Sequence, residues 1–260
     1  MSYSLYMAIK NLNKNKRMKF NFTNFLLLLV SAFTSFQTIV AQVNSGTVKY
    51  KHTTYFEFEG MPADMPKSQE TFMRLSFNNN ESLYEKDPEV KVTNEENENT
   101  PRMFRRMRDR SNKIIYKNLE SNSVLEQTGL FGKDFLVSDS IAAIKWKVSA
   151  GEQKNILGYT CMKAIYKDSF NNIIVFFTPQ IPLRFGPDKY GNLPGVILEL
   201  QSAQTHIIAT EVIKDSPEIK TPTKGDKMNR KEFDKIREEK MKEQREMWGR
   251  RGGETRIIRQ

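Results

Sequence analysis

Gly158-Tyr159-Thr160-Cys161-Met162-Lys163-Ala164-Ile165-Tyr166-Lys167, followed by Asp168-Ser169-Phe170-Asn171-Asn172 and then Ile173-Ile174-Val175-Phe176-Phe177-Thr178, is the stretch that decides the fold. Two runs rich in β-branched and aromatic residues flank a short polar segment, the pattern of antiparallel strands joined by a tight connection. The pattern repeats. Gly195–Gln201 and His206–Ile213 flank Ser202-Ala203-Gln204, and Thr71, Met73, Leu75 and Phe77 alternate before Asn78-Asn79-Asn80 turns into Ser82–Glu85. Further runs lie at Val43–Phe58, Lys113–Asn118, Val124–Thr128, Lys133–Val137 and Ala142–Val148, with a turn-rich interruption at Glu59–Pro66. Such close spacing, with Asn, Gly or Asp between runs, fits antiparallel meanders and not helix-crossed parallel units. The expected fold is mainly β: a curved antiparallel sheet or a partly open barrel or sandwich of about ten strands, whose edges need covering.

The C-terminal tail reads differently. Asn229 and Glu232 form a capping box, and Met228 and Phe233 stand where a hydrophobic staple places them. Phe233, Ile236, Met241, Met247 and Trp248 fall loosely on one helical face. Gly249 and Gly252-Gly253 are expected to end the helix, with Arg256-Ile257-Ile258 adding a short terminal strand. An isolated helix of this length is marginal in water, so docking on the protein's own sheet is expected, with docking on a partner the alternative.

Pro179 to Glu199 holds four prolines and three glycines in 21 residues, a rigid connector punctuated by Pro182, Gly186-Pro187, Gly191 and Leu193-Pro194-Gly195, which launches into the strand Val196–Leu200. Proline fixes φ and glycine permits positive φ, so such a segment holds one shape without regular structure. Gly186, Pro187, Tyr190, Gly191, Asn192, Leu193, Pro194 and Gly195 are the candidate interaction loop; crossing the end of a sheet is the simpler use of the same rigidity.

The chain of 260 residues has a net charge of +10, unevenly placed. Residues 1–41 carry five basic groups and no acidic one, residues 42–223 carry 23 of each sign, and residues 224–260 carry 13 basic and 8 acidic. The body is therefore neutral, which argues against nucleic acid as a partner. An acidic, Asn-rich run, Asn94 to Asn99, is followed by Arg102, Arg105, Arg106, Arg108 and Arg110. Residues 87–112 are read as a mobile charged loop whose two halves neutralise each other. The basic N-terminus, the run Phe25–Val30 and the close at Ala41-Gln42 form a secretory signal pattern, expected to be cleaved after Ala41 and to leave no stable transmembrane span. Met18 would also start a compact signal. The expected organisation is thus a signal at 1–41, a β-rich domain at 42–223 and a charged helical tail at 224–260.

The chemistry-bearing residues are sparse. His52 and His206 are the only histidines and neither stands at metal-ligand spacing, so no metal and no cofactor is expected. Cys161 is the single cysteine and sits in an alternating strand, as a packed core thiol. No Gly-x-Ser-x-Gly elbow occurs, and Gly129-x-x-Gly132 lacks the Lys-Ser/Thr of a phosphate loop. These residues point to no enzyme.

Asn192-Leu193-Pro194-Gly195-Val196-Ile197, preceded by Gly186-Pro187 and Tyr190, resembles the namesake segment of the GLPGLI family of exported Bacteroidetes proteins. The resemblance extends through Ile144–Lys147, Ile156–Ala164 and Phe176–Thr178, with Asn192 and Phe177 departing from the family pattern. It implies an exported β-rich envelope protein, in the periplasm or at the periplasmic face of the outer membrane, with no catalytic residue to carry over. The expected function is accordingly non-enzymatic: an accessory that binds an envelope partner such as an outer-membrane transport system. The alternative is a carrier of an apolar or lipidic ligand in the curved sheet.

Overall fold

The computed structural model describes residues 44–56, 66–90, 113–167 and 172–257. The expected signal segment, most of the charged loop and the Asp168–Asn171 connection lie outside the described residues. The strands are β1 (Gly46–Tyr55), β2 (Ser68–Phe77), β3 (Glu81–Lys86), β4 (Ile114–Asn118), β5 (Ser123–Leu130) and β6 (Lys133–Ser140), then β7 (Lys147–Ile156), β8 (Tyr159–Lys167), β9 (Asn172–Thr178), β10 (Val196–Gln201), β11 (Thr205–Ile213) and β12 (Asp226–Asn229); the helix is α1 (Arg230–Ile257). They build one open twelve-stranded sheet in the order β12-β6-β5-β4-β3-β2-β1-β11-β10-β9-β8-β7. The fold is mainly β, as expected, and antiparallel throughout except where β12 runs parallel to β6.

Period-two alternation puts the core on one face of this sheet. Val48 lies opposite Leu75, Leu75 opposite Tyr84, and Tyr84 opposite Ile115, a row of apolar side chains crossing four strands. The hairpins are tight where positive φ is available. Phe131-Gly132 joins β5 to β6 and Leu157-Gly158 joins β7 to β8, with both residues of each pair in the left-handed region, the backbone that matches strand twist in a two-residue turn. Cys161 is buried in the core, as expected.

The segment between β9 and β10 packs on the core face. Ile181, Phe185 and Leu193 are essentially fully buried there. Its backbone is satisfied internally: Asn192 N–H donates to the Arg184 carbonyl, Val196 N–H to that of Ile181, and Ile197 N–H to that of Phe185. Gly195 closes it (φ 157°), and a Cβ there would stand 2.1 Å from the Thr178 carbonyl oxygen. Asn192 takes the left-handed conformation at φ 68°, which Asn tolerates better than other side chains.

The helix docks on the protein itself. Glu232 N–H donates to Asn229 Oδ1 at 2.9 Å and Asn229 N–H to Glu232 Oε2 at 3.2 Å, a complete capping box. Phe233 is buried and meets Phe135 edge-on, with ring centroids 5.5 Å apart, in a small cluster with Leu130 and Val137 against which Met228 and Ile236 pack. Two expectations fail. The helix continues through Gly249 and Gly252-Gly253 to Ile257, so the short terminal strand does not form among the described residues. The strand expected at Ala142–Val148 begins only at Lys147 and continues to Ile156. Residues 142–146 are irregular and carry Trp146 toward the segment before β10.

Gly195→Val will lower stability by about 3 kcal/mol, because its side chain meets backbone that cannot retreat; thermal melting should show a fall of roughly 10 °C. Phe233→Ala will cost about 3 kcal/mol of local packing. Hydrogen exchange should show protection lost over Arg230–Ile236 while β1 and β2 keep theirs.

Candidate functional site

Two polar clusters are built into the sheet, one on each face. On the core face, Lys117 lies opposite Ser82 in the β3–β4 register and its side chain is buried beneath the β9–β10 segment. Its Nζ donates to the Tyr190 carbonyl at 2.7 Å. Lys113 Nζ donates to Asp188 Oδ1 at 2.8 Å and lies 3.5 Å from Glu126 Oε1. Arg230 joins Glu126 to Asp139, so an alternating row of charges links the start of α1 to the segment before β10. Trp146 Nε1 donates to the Gly191 carbonyl at 2.9 Å from the other side. Burial pushes the Lys117 amine down to about 7, against the opposing pull of Asp188. Burial opposes ionisation of Asp188, yet the Lys113 ammonium outweighs it and holds the carboxyl below its ordinary value. The His52 imidazole is pushed down by burial. The Tyr84 hydroxyl is buried without a hydrogen-bond partner among the described residues.

This geometry places the candidate loop. Gly186, Pro187, Gly191, Leu193 and Gly195 are buried, Tyr190 is half-buried, and Asn192 and Pro194 are exposed. Its buried members hold the segment against the sheet.

The second cluster lies on the opposite face, where a register shift between Ile197 and Glu199 interrupts the β9–β10 ladder. Such bulges re-aim side chains and recur beside functional sites. Glu199 stands opposite Phe176 and Ile208, and its side chain is only 1% exposed. Lys154 Nζ donates to Glu199 Oε2 at 2.6 Å, and Gln201 Nε2 to Glu199 Oε1 at 2.7 Å. His206 Nε2 lies 3.0 Å from the same Oε1, and the Lys154 ammonium stands 5.3 Å from the centre of the Phe176 ring. Burial works against the charge on Glu199, but Lys154, His206 and Gln201 together keep its pKa below the ordinary value. Cys161, opposite Lys154, is pushed up to about 11 by burial and is no thiolate nucleophile near neutral pH.

A saturated, ionised carboxylate is a poor proton donor and a good anchor: it fixes an ammonium, an amide and an imidazole on one patch. The sequence reading missed this cluster. Its one visible signal is a Glu inside the apolar run Val196–Leu200. Among the described residues no group of three or more His, Cys, Asp or Glu gathers as a metal site. Nor is any described helix long and apolar enough to cross a membrane.

The class defined so far is a sheet protein with a plugged core face and a polar outer patch. The family model described as "N-glycanase peptide, N-terminal domain" (PNGase F-II N-terminal) matches residues 78–238, and this chain belongs to that family. Two crystal forms of PNGF-II share the fold at 17% identity, with TM-scores of 0.52 and 0.51, over 75% and 74% of this chain. The chain spans about a third of their length, 33% and 32%. No curated protein matches the chain. The family match overturns the GLPGLI resemblance, and with it the readings of a non-enzymatic envelope accessory or ligand carrier and of a protein that is no enzyme: the matched model describes the N-terminal domain of an N-glycanase.

Lys117 gives a pH test. Its pKa falls from 10.5 in the unfolded chain to about 7 in the folded one. Below 10.5 the unfolded state therefore holds the extra proton, and stability rises with pH from about 7 upward by at most about 1.4 kcal/mol per unit. Thiol ionisation in the unfolded chain opposes this above about pH 9, since Cys161 ionises less readily when folded. Melting curves of the wild type should shift upward between about pH 7 and 9, whereas Lys117→Met should start higher and lose that slope.

Proposed function

We propose that this chain serves in the removal of N-linked glycans from peptides, as a sheet module of the N-glycanase type. The observation that carries the reading is the family match across 78–238, which takes in strands β3 to β12, the plugged core face, the outer patch and the docked start of α1. In this reaction water adds across the amide that joins the glycan to an Asn side chain, leaving an Asp on the peptide and an amine on the sugar. Proton transfers of that kind need groups that change ionisation near the working pH. Glu199, saturated and held ionised, is not one of them. Its place in this reading is to fix the groups that meet substrate.

Cells that produce this protein, compared with a strain deleted for it, provide the test, with one defined N-glycosylated peptide as substrate and mass spectrometry as readout. The expected outcome is release of the glycan with conversion of the linked Asn to Asp, lost on deletion and restored by the wild-type gene. Release that is unchanged in the deleted strain, or absent from both, overturns the proposal.

A further inference from the structure

The outer patch around Glu199 has features that structural packing alone does not require. A buried carboxylate needs compensating donors, and one lysine would suffice for charge. Here three partners of different chemistry converge on it from three strands, and each reaches the surface: the Lys154 side chain is 43% exposed, that of His206 is 30% exposed, and Gln201 is half-buried. Each also retains hydrogen-bonding capacity. Lys154 Nζ has three N–H groups, Gln201 keeps its amide oxygen and a second N–H, and His206 keeps Nδ1. Among the described residues, the bonds of Lys154 and His206 in this patch run to Glu199. The patch is also electrically balanced. Lys154 is matched by Glu199 and neighbouring Lys163 by Glu152, at 2.6 Å in each pair. The half-buried Phe176 supplies an apolar floor beside these groups.

We infer that Lys154, Phe176, Gln201 and His206, held in place by Glu199 on the outer face of β7 and β9–β11, form a binding subsite for a neutral saccharide. A phosphate or an acidic peptide calls for unspent positive charge, which this balanced patch lacks. A sugar ring presents hydroxyls that donate and accept at once, together with a C–H face. An array of rigidly held amide, imidazole and ammonium groups over an apolar ring answers both needs. Glu199 is a positioning residue: buried behind the patch, it sets the orientation of the side chains that touch the ligand. The choice of an N-glycan sugar as ligand rests on the N-glycanase reading, but the existence of the subsite does not.

The probe is chitobiose, titrated into the full chain and followed by amide chemical shifts and calorimetry. Shifts are expected at 174–176 and 199–206. Gln201→Ala and His206→Ala should each weaken binding about tenfold, the loss of one well-placed hydrogen bond. Glu199→Gln, which keeps the shape and releases Lys154, should weaken it at least as much, with wild-type circular dichroism and a retained fold. Lys113→Met, on the opposite face, should bind as the wild type does. Binding unaffected by Gln201→Ala and His206→Ala, or shifts confined to other strands, overturns the subsite. No chitobiose binding, with glycan release still dependent on this protein in cells, overturns the subsite and leaves the N-glycanase reading standing. Binding that follows the variants, with no glycan release, supports the subsite and overturns that reading.

Discussion

The contact between Gly195 and the Thr178 carbonyl is the constraint on which the rest of this structure depends. The end of β9 and the start of β10 must come close enough to pair, while the seventeen-residue span between them (179–195) folds back over the core face. A side chain at Gly195 would fill the space through which the two backbones pass. With the corner closed, Ile181, Phe185 and Leu193 cover apolar side chains that an open sheet would expose to water. An irregular segment in that position must find partners for its own carbonyls. The Lys117 ammonium and the Trp146 indole supply two of them, at Tyr190 and Gly191.

That solution burdens the sheet with a lysine in its interior. An amine pushed down to about 7 is a group whose charge is disfavoured where it stands, although Asp188 and the Tyr190 carbonyl offset part of the cost. The row Asp188, Lys113, Glu126, Arg230 and Asp139 distributes opposite charges from the β9–β10 segment to the first residue of the helix. Partly exposed ion pairs contribute little to stability individually, so what this row adds is specificity of arrangement. The row fixes which face receives the segment and where the helix begins, at positions that apolar contacts alone leave interchangeable.

Much of the sheet was legible in the sequence because its strands are half-buried, and half-burial writes itself as alternation. Met73, Leu75 and Phe77 in β2, and the capping box at Asn229, are local signals and the structure repeats them. β7 was misplaced for the opposite reason. It is a largely exposed edge strand, so Gly151-Glu152-Gln153-Lys154-Asn155 carries no apolar alternation, and a bulge between Ser149 and Gln153 breaks what period remains. β12 is four residues long and pairs with β6 from some ninety positions away, beyond any local pattern. The helix outlasts its glycines because each costs only about 1 kcal/mol within a helix, less than a firm stop signal. The rigidity of the connector was legible from its prolines and glycines, but which of its residues face the core was not: Gly186, Pro187, Gly191, Leu193 and Gly195 are buried, while Asn192 and Pro194 stay exposed.

The site was harder to read than the fold because its members meet only through the sheet. Gln201 and His206 face each other across a short hairpin, a pairing available to anyone who reads the turn at Ser202–Gln204. Lys154 arrives from β7 across two intervening strands, which no spacing rule captures. Family membership was hidden for a related reason. Catalytic motifs are recognisable when nucleophile, base and orienting group sit at fixed offsets, whereas a module defined by its sheet disperses its constraints over apolar positions that many β proteins share. Glu199 is where that dispersal gives way. A carboxylate at the centre of an apolar strand opposes folding unless its partners are in place, so Glu199 between Leu198 and Leu200 ties β7, β10 and β11 to one arrangement, in which Lys154, Gln201 and His206 meet it.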